Sequence, residues 1–127
     1  MEGLQLSCEQ RDDSMIVAIG GDLDVVTGRE FDEYLTQARR QHDHIVLDLS
    51  AVDFMDTSAL AVIVGHWKEL VAAGGTLTLA GPRYRYTKSL WITGLADRLP
   101  LYDTVDLAIT ARHAAAGSDG NPAPISP

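Results

Sequence analysis

Leu4-Gln5-Leu6-Ser7-Cys8 alternates apolar and polar side chains, the period of a half-buried strand. A polar turn, Arg11-Asp12-Asp13-Ser14, separates it from Met15-Ile16-Val17-Ala18-Ile19, which is almost wholly apolar. Continuous apolar character predicts a central strand covered on both faces. The short turn predicts that the two strands form a hairpin. Gly20-Gly21 ends the second strand in this reading, and Asp22-Leu23-Asp24-Val25-Val26 is a loop. The next helix has Thr27 and Glu30 at capping-box spacing, with Val26 and Phe31 at the positions of a hydrophobic staple. Its apolar side is Phe31, Tyr34, Leu35 and Ala38, spaced by three and four, and it is expected to run to Gln41.

The third strand is His44 to Leu49, and Ser50 to Phe54 connects it to a second helix. Leu60, Ile63, Val64, Trp67, Leu70 and Val71 form the buried face of that helix, and Gly74-Gly75 supplies its left-handed stop. Thr76 to Ala80 is a fourth strand before Gly81-Pro82. Tyr86, Leu90 and Trp91 mark a third helix ending at Gly94. Leu101-Tyr102 suits a short strand, and Asp103 to about His113 a last helix. Strands alternating with helices imply parallel pairs joined by right-handed crossovers. The expected fold class is therefore α/β: one domain over residues 1–113, with a mixed four- to five-stranded sheet, an N-terminal hairpin and about four helices. Residues 114–127, rich in Gly, Pro, Ala, Ser and Asn, read as a disordered tail.

Composition narrows the function. The chain has 127 residues, 46% hydrophobic and 22% charged, enough for one domain with a core. A net charge of -8 repels phosphate backbones and anionic lipid, so neither nucleic acid nor a membrane surface is an expected partner. The single cysteine, Cys8, excludes an internal disulfide. His42, His44, His66 and His113 lack partners at metal-ligand spacing, so neither metal nor cofactor is expected. No P-loop, dinucleotide fingerprint or Gly-x-Ser-x-Gly elbow occurs, which argues against an enzyme. The opening residues lack a secretory pattern and the longest apolar run is too short to span a bilayer, so the cytoplasm is the expected compartment.

Two clusters stand out at strand-to-helix junctions, the edge at which α/β sheets read ligands and partners. One is Asp22-Leu23-Asp24, and the other is Asp56-Thr57-Ser58 at the start of the second helix. Taken alone, each is better explained by folding, as loop carboxylates and a favourable helix cap. The functional alternative is that a phosphate on Thr57 or Ser58 would meet free N–H groups and the positive end of a helix dipole. It would add roughly -1.5 to -2 charges beside existing carboxylates without unfolding the domain.

The run Ile45-Val46-Leu47-Asp48-Leu49-Ser50-Ala51-Val52-Asp53-Phe54-Met55-Asp56-Thr57-Ser58-Ala59-Leu60-Ala61-Val62-Ile63-Val64-Gly65 resembles the central signature of STAS-domain anti-sigma-factor antagonists. Gly21-Asp22-Leu23-Asp24 with Thr27, Gly74-Gly75-Thr76-Leu77 and Ile92-Thr93-Gly94-Leu95 resemble further landmarks, so the likeness spans residues 4–112. The resemblance implies a partner: an anti-sigma factor of histidine-kinase-like ATPase fold that is a serine/threonine kinase. The unmodified antagonist sequesters it and frees the sigma factor. Phosphorylation just after the motif's Asp ends the binding, and a serine/threonine phosphatase resets it. That acceptor position is Thr57, where the family more often has serine, with Ser58 as the alternative. Asp22, Asp24, Asp56, Thr57 and Ser58 are the implied partner-binding residues, and the free chain is expected to be a monomer.

Two other readings compete. A STAS subunit of a lipid-transport or stressosome complex would bind partners without a phosphorylation cycle. A response regulator would need an acceptor Asp after its third strand and a Lys after its fifth, and no Lys lies near Leu101-Tyr102. The tail offers almost nothing apolar except Ile125. Deleting the chain from Gly117 onward is expected to leave the melting temperature nearly unchanged; a large drop in a thermal scan would mean that the tail docks on the domain.

Overall fold

The structure is a computed structural model describing residues 3–117. Strand β1 (Leu4–Arg11) and strand β2 (Ser14–Leu23) form the expected antiparallel hairpin. Helix α1 (Gly28–Gln41), strand β3 (His44–Met55), helix α2 (Thr57–Ala72) and strand β4 (Thr76–Ala80) follow. A 3-10 turn (Tyr84–Tyr86), helix α3 (Lys88–Ile92), a second 3-10 turn (Leu95–Asp97), strand β5 (Leu101–Tyr102) and helix α4 (Val105–Gly117) complete the chain. The five strands lie in the order β1-β2-β3-β4-β5, and every pair after the hairpin is parallel. The mixed α/β sheet expected from the sequence is the fold observed.

Alternation in β3 sorts its side chains between two cores. Ile45, Leu47 and Leu49 face α1 and α2, where Phe31, Leu35, Leu60, Ile63 and Leu70 cover them. Val46 faces the opposite side with Ile16 and Ala80, beneath Ala108 and Ile109 of α4. Leu90 of α3 joins the larger core. Trp67 is half-buried against it, whereas Val71 is 53% exposed and lies outside the buried face of α2. His66 takes the place expected of an apolar residue: it is buried, with Nε2 on Asp32 at 2.6 Å and Nδ1 on Arg39 at 2.8 Å. That network ties α2 to α1.

Three boundaries differ from expectation, each for a physical reason. β2 runs through Gly20-Gly21 to Leu23, so the glycines lie inside the strand. Gly21 has φ +89°, and a Cβ there would stand 2.1 Å from the Gly3 carbonyl oxygen, so glycine is required for backbone approach, not to end the strand. β3 runs through Ser50–Phe54 to Met55. Its register with β2 shifts between Ala18 and Gly20 and again between Gly21 and Asp22. These bulges change the spacing of buried residues from two to three: Leu49, Val52, Met55. A two-residue period cannot reveal a strand there. Helix α4 continues four residues beyond His113 to Gly117. The remainder of the expected tail, 118–127, lies outside the described residues.

Ile63 is fully buried between the sheet and α1. Ile63→Ala is expected to cost about 2–5 kcal/mol through lost burial and a residual cavity. Leu107→Ala, at a half-exposed position on α4, should stay within about 0.5 kcal/mol. Urea denaturation of the two variants beside the parent measures both.

Candidate functional site

The two carboxylate clusters are neighbours because β2 and β3 are parallel and end together. Asp22 pairs with Phe54 and Leu23 with Met55. The Asp56 N–H then donates to the Leu23 carbonyl at 3.1 Å, joining the mouth of one loop to the cap of the next helix.

Asp24 organises the first loop. Its Oδ1 accepts from the N–H groups of Val26 at 2.9 Å and Thr27 at 3.0 Å. Thr27 answers with its hydroxyl, which accepts from the Asp24 N–H at 3.0 Å and donates to the Asp22 carbonyl at 2.8 Å. Thr27 consequently sits in the right-handed region (φ −89°, ψ −7°) and makes no side-chain cap on α1. The expected Thr27–Glu30 capping box does not form, because Thr27 closes the Asp24 turn instead. The staple is absent too: Val26 is 83% exposed while Phe31 is buried.

Asp56 is the cap of α2. Its Oδ1 accepts from the Ser58 N–H at 2.9 Å, the Ala59 N–H at 3.2 Å and the Ser58 hydroxyl. The Ser58 hydroxyl holds the Asp56 carboxyl below its usual range against the opposing effect of burial, and the N–H groups of Ala59, Ser58 and Val25 add to the lowering. Val25 belongs to the first loop, so the two clusters meet at this carboxylate.

The hydroxyls differ sharply. Ser58 is half-buried and donates to Asp56. Thr57, the first residue of α2, is exposed, and its hydroxyl has no hydrogen-bond partner among the described residues. Asp22 is exposed at the last turn of β2, with its backbone N–H on the Gly3 carbonyl at 3.1 Å. Asp24, Asp56, Thr57 and Ser58 therefore meet at one sheet edge, with Asp22 one step inside it.

An apolar border surrounds this edge and was not anticipated. Val25 and Val26 are 76% and 83% exposed, Phe54 49% and Ile92 78%. Tyr84 and Trp91 are also exposed and stack edge-to-face at 5.1 Å. Ser89 anchors α3 beside the edge by donating to the Met55 carbonyl at 2.9 Å. Arg83 braces the same strand end through the Val52 carbonyl at 3.2 Å and Asp53 at 3.5 Å. Clustered exposed apolar side chains mark a surface used for association. The sequence signal was available: apolar residues directly beside turn-forming ones, outside any regular period.

Comparison with known proteins identifies the family and the fold. The STAS domain profile matches residues 5–108. The chain belongs to the STAS domain family. It is 34% identical to the anti-sigma F factor antagonist of Paenibacillus polymyxa, over 84% of this chain and 93% of that protein. It is 35% identical to the anti-sigma-B factor antagonist of Staphylococcus epidermidis, over 74% and 88%. The fold superposes on an anti-sigma factor antagonist from Mycobacterium paratuberculosis with TM-score 0.78, 24% identity and coverage of 86% and 93%. It also matches the Bacillus cell fate determinant SpoIIAA in its phosphorylated form, with TM-score 0.65, 21% identity and coverage of 84% and 98%. No helix among the described residues of this STAS domain is long and apolar enough to cross a membrane.

The lowered Asp56 carboxyl fixes the sign of its pH dependence. Stability from the capping carboxylate is present above the unfolded pKa and is lost as pH falls through the lower folded value. Asp56→Ala is expected to cost about 1 kcal/mol at neutral pH, the usual scale of an N-cap. That difference should shrink below about pH 4, where unfolded carboxylates protonate. Urea midpoints of parent and variant across this range check it.

Proposed function

We propose that this STAS domain is an anti-sigma-factor antagonist of the cytoplasm. In this reading it binds, as a free monomer, an anti-sigma factor of histidine-kinase-like ATPase fold that is a serine/threonine kinase. Binding releases the sigma factor. The kinase then transfers the γ-phosphoryl group of its ATP to Thr57. The Thr57 oxygen attacks phosphorus, ADP leaves, and the hydroxyl proton passes to a base of the kinase. A serine/threonine phosphatase restores the unmodified chain.

The observation that carries this reading is the contrast between two adjacent hydroxyls. Thr57 is exposed and its hydroxyl has no partner among the described residues, while Ser58 is engaged by Asp56. A nucleophile must reach the kinase's nucleotide, and Thr57 can do so without dismantling the helix cap. A phosphate at this residue would sit at the positive end of α2, so the fold can accept it. The exposed apolar border supports partner binding at the same edge. The names of the Paenibacillus and Staphylococcus relatives support the class of partner.

Phosphate would weaken the complex by electrostatics. It adds charge at the helix start capped by Asp56 and joined to the Asp24 loop, facing a partner whose bound nucleotide is already anionic. Each tenfold loss of affinity corresponds to ~1.4 kcal/mol.

The test uses parent, Thr57→Ala, Thr57→Glu and Ser58→Ala chains with the ATP-binding anti-sigma factors of the source organism. Intact mass reports modification and calorimetry reports affinity. Parent and Ser58→Ala should gain one phosphate. Thr57→Ala should bind without gaining one, and Thr57→Glu should bind at least tenfold more weakly. Undiminished modification of Thr57→Ala would move the acceptor to Ser58 or elsewhere. Binding without any modification of the parent would instead assign a non-phosphorylated interaction subunit.

A further inference from the structure

The sheet is held differently on its two faces. On one, Phe31, Leu35, Leu60, Ile63 and Leu70 of α1 and α2 build a continuous core. On the other, Ile16, Val46 and Ala80 are covered by Ala108 and Ile109, the side chains of α4 that are buried among the described residues. The sheet-facing positions of α4 keep helical spacing: Val105, Ala108, Ile109 and Arg112. The fourth is an arginine where an apolar residue would extend the core. Beside it lies a hollow of about 200 Å³, bordered on the sheet by the hydroxyl-bearing side chains of Ser14, Thr76 and Thr78. Close apolar packing is thus confined to the first half of the helix.

Charge fastens the rest. Asp12 and Asp13 form the turn between β1 and β2, and both carboxylates meet the far end of α4. Arg112 donates to Asp13 Oδ2 at 3.0 Å, and His113 Nε2 lies 3.0 Å from Asp12 Oδ2. Arg112 also donates to His44 Nε2 at 2.9 Å, and His44 Nδ1 is 3.0 Å from the Thr76 hydroxyl. Nearer the helix start, Arg11 of β1 donates to Asp106 at 2.7 Å. Asp12, Asp13, Asp106 and His113 are exposed, and exposed ion pairs are individually weak and screened by salt. The start of α4 has a cap of its own, because the Thr104 hydroxyl accepts from the Leu107 N–H at 3.1 Å. That cap does not depend on the sheet.

We propose that α4 is a strap fastened to the hairpin by charge, which opens from the sheet as one unit while the α1–α2 core stays closed. Arg112 is its main fastening, since it joins the hairpin turn, the start of β3 and, through His44, the start of β4. Opening uncovers an apolar strip of Ile16, Val46 and Ala80 and leaves the ends of β2 and β3 in place. Units with few buried apolar contacts and exposed polar fastenings open at the low end of a protein's free-energy scale. Ionic strength is the natural control on such a strap.

Native-state hydrogen exchange, read amide by amide by NMR, tests it on parent, Arg112→Gln, Arg11→Asp and Arg11→Asp/Asp106→Arg chains. In the parent, Ile109 to His113 should share one protection factor, at least tenfold below that of Ile45 to Leu49. Raising salt from about 0.1 M to about 1 M shortens the Debye length from about 10 Å to about 3 Å. Protection of α4 should then fall at least threefold, with β3 unchanged. Arg112→Gln and Arg11→Asp should each lower α4 protection at least tenfold, and the charge-exchanged double variant should return to within threefold of the parent. Arg11→Asp keeps the test open where Arg112→Gln fails to fold. Equal protection of α4 and β3 in every chain would overturn the strap and make α4 part of the global unit. Loss graded along α4 and confined to its last turn would be fraying, and would overturn it too. Equal losses in α4 and β3 on substitution would show general destabilisation and likewise contradict the proposal.

Discussion

The parallel ladder between β2 and β3 is the constraint on which everything else depends. Because it continues past Gly20-Gly21 and through two register shifts, both strands deliver their ends to the same place. The next backbone bond, from Asp56 N–H to the Leu23 carbonyl, makes the following loop and helix a single unit. The glycine at position 21 is part of that arrangement, since its positive φ and lack of Cβ let the chain at Gly3 lie directly against it.

On this edge polar and apolar groups have different tasks. Asp24 and Asp56 spend their carboxylate oxygens on backbone N–H groups, which holds the loop and the helix start in fixed geometry. Such carboxylates preorganise the surface more than they offer free charge to a partner. Among the described residues, exposed Asp22 and the Thr57 hydroxyl, which has no partner there, remain available at this edge. Val25, Val26, Phe54 and Ile92 supply exposed apolar area, which has no folding rationale. Rigid polar framing around exposed apolar area is the character of a surface suited to association.

The fold was legible because its core strands and helices obey simple periods. Ile45, Leu47 and Leu49 alternate, and Phe31, Leu35, Leu60 and Ile63 keep helical spacing. Reading failed where backbone geometry departed from those periods. The bulges of β3 placed Val52 and Met55 three apart, so the end of the strand looked like a loop. Gly20-Gly21 looked like punctuation because a tertiary contact with Gly3 leaves no mark in local sequence. The acidic and hydroxyl residues of the site were visible as unusual junction chemistry, yet their partners were not. Thr27 carried the composition of a cap but is used by Asp24, and only the folded loop decides between those roles. The apolar border was missed because Val26 and Trp91 were assigned to helix packing, while both project outward.

The central claim is that a single sheet edge, built from the ends of β2 and β3 and flanked by α3, is the surface on which the anti-sigma factor docks. Hydrogen exchange of the chain with and without that partner tests it most directly. The account predicts new protection in residues 22–27, 54–61 and 84–95, with α4 and the β1–β2 turn unchanged. Protection concentrated on α4 or on the outer face of α1, with the edge unaltered, would contradict it.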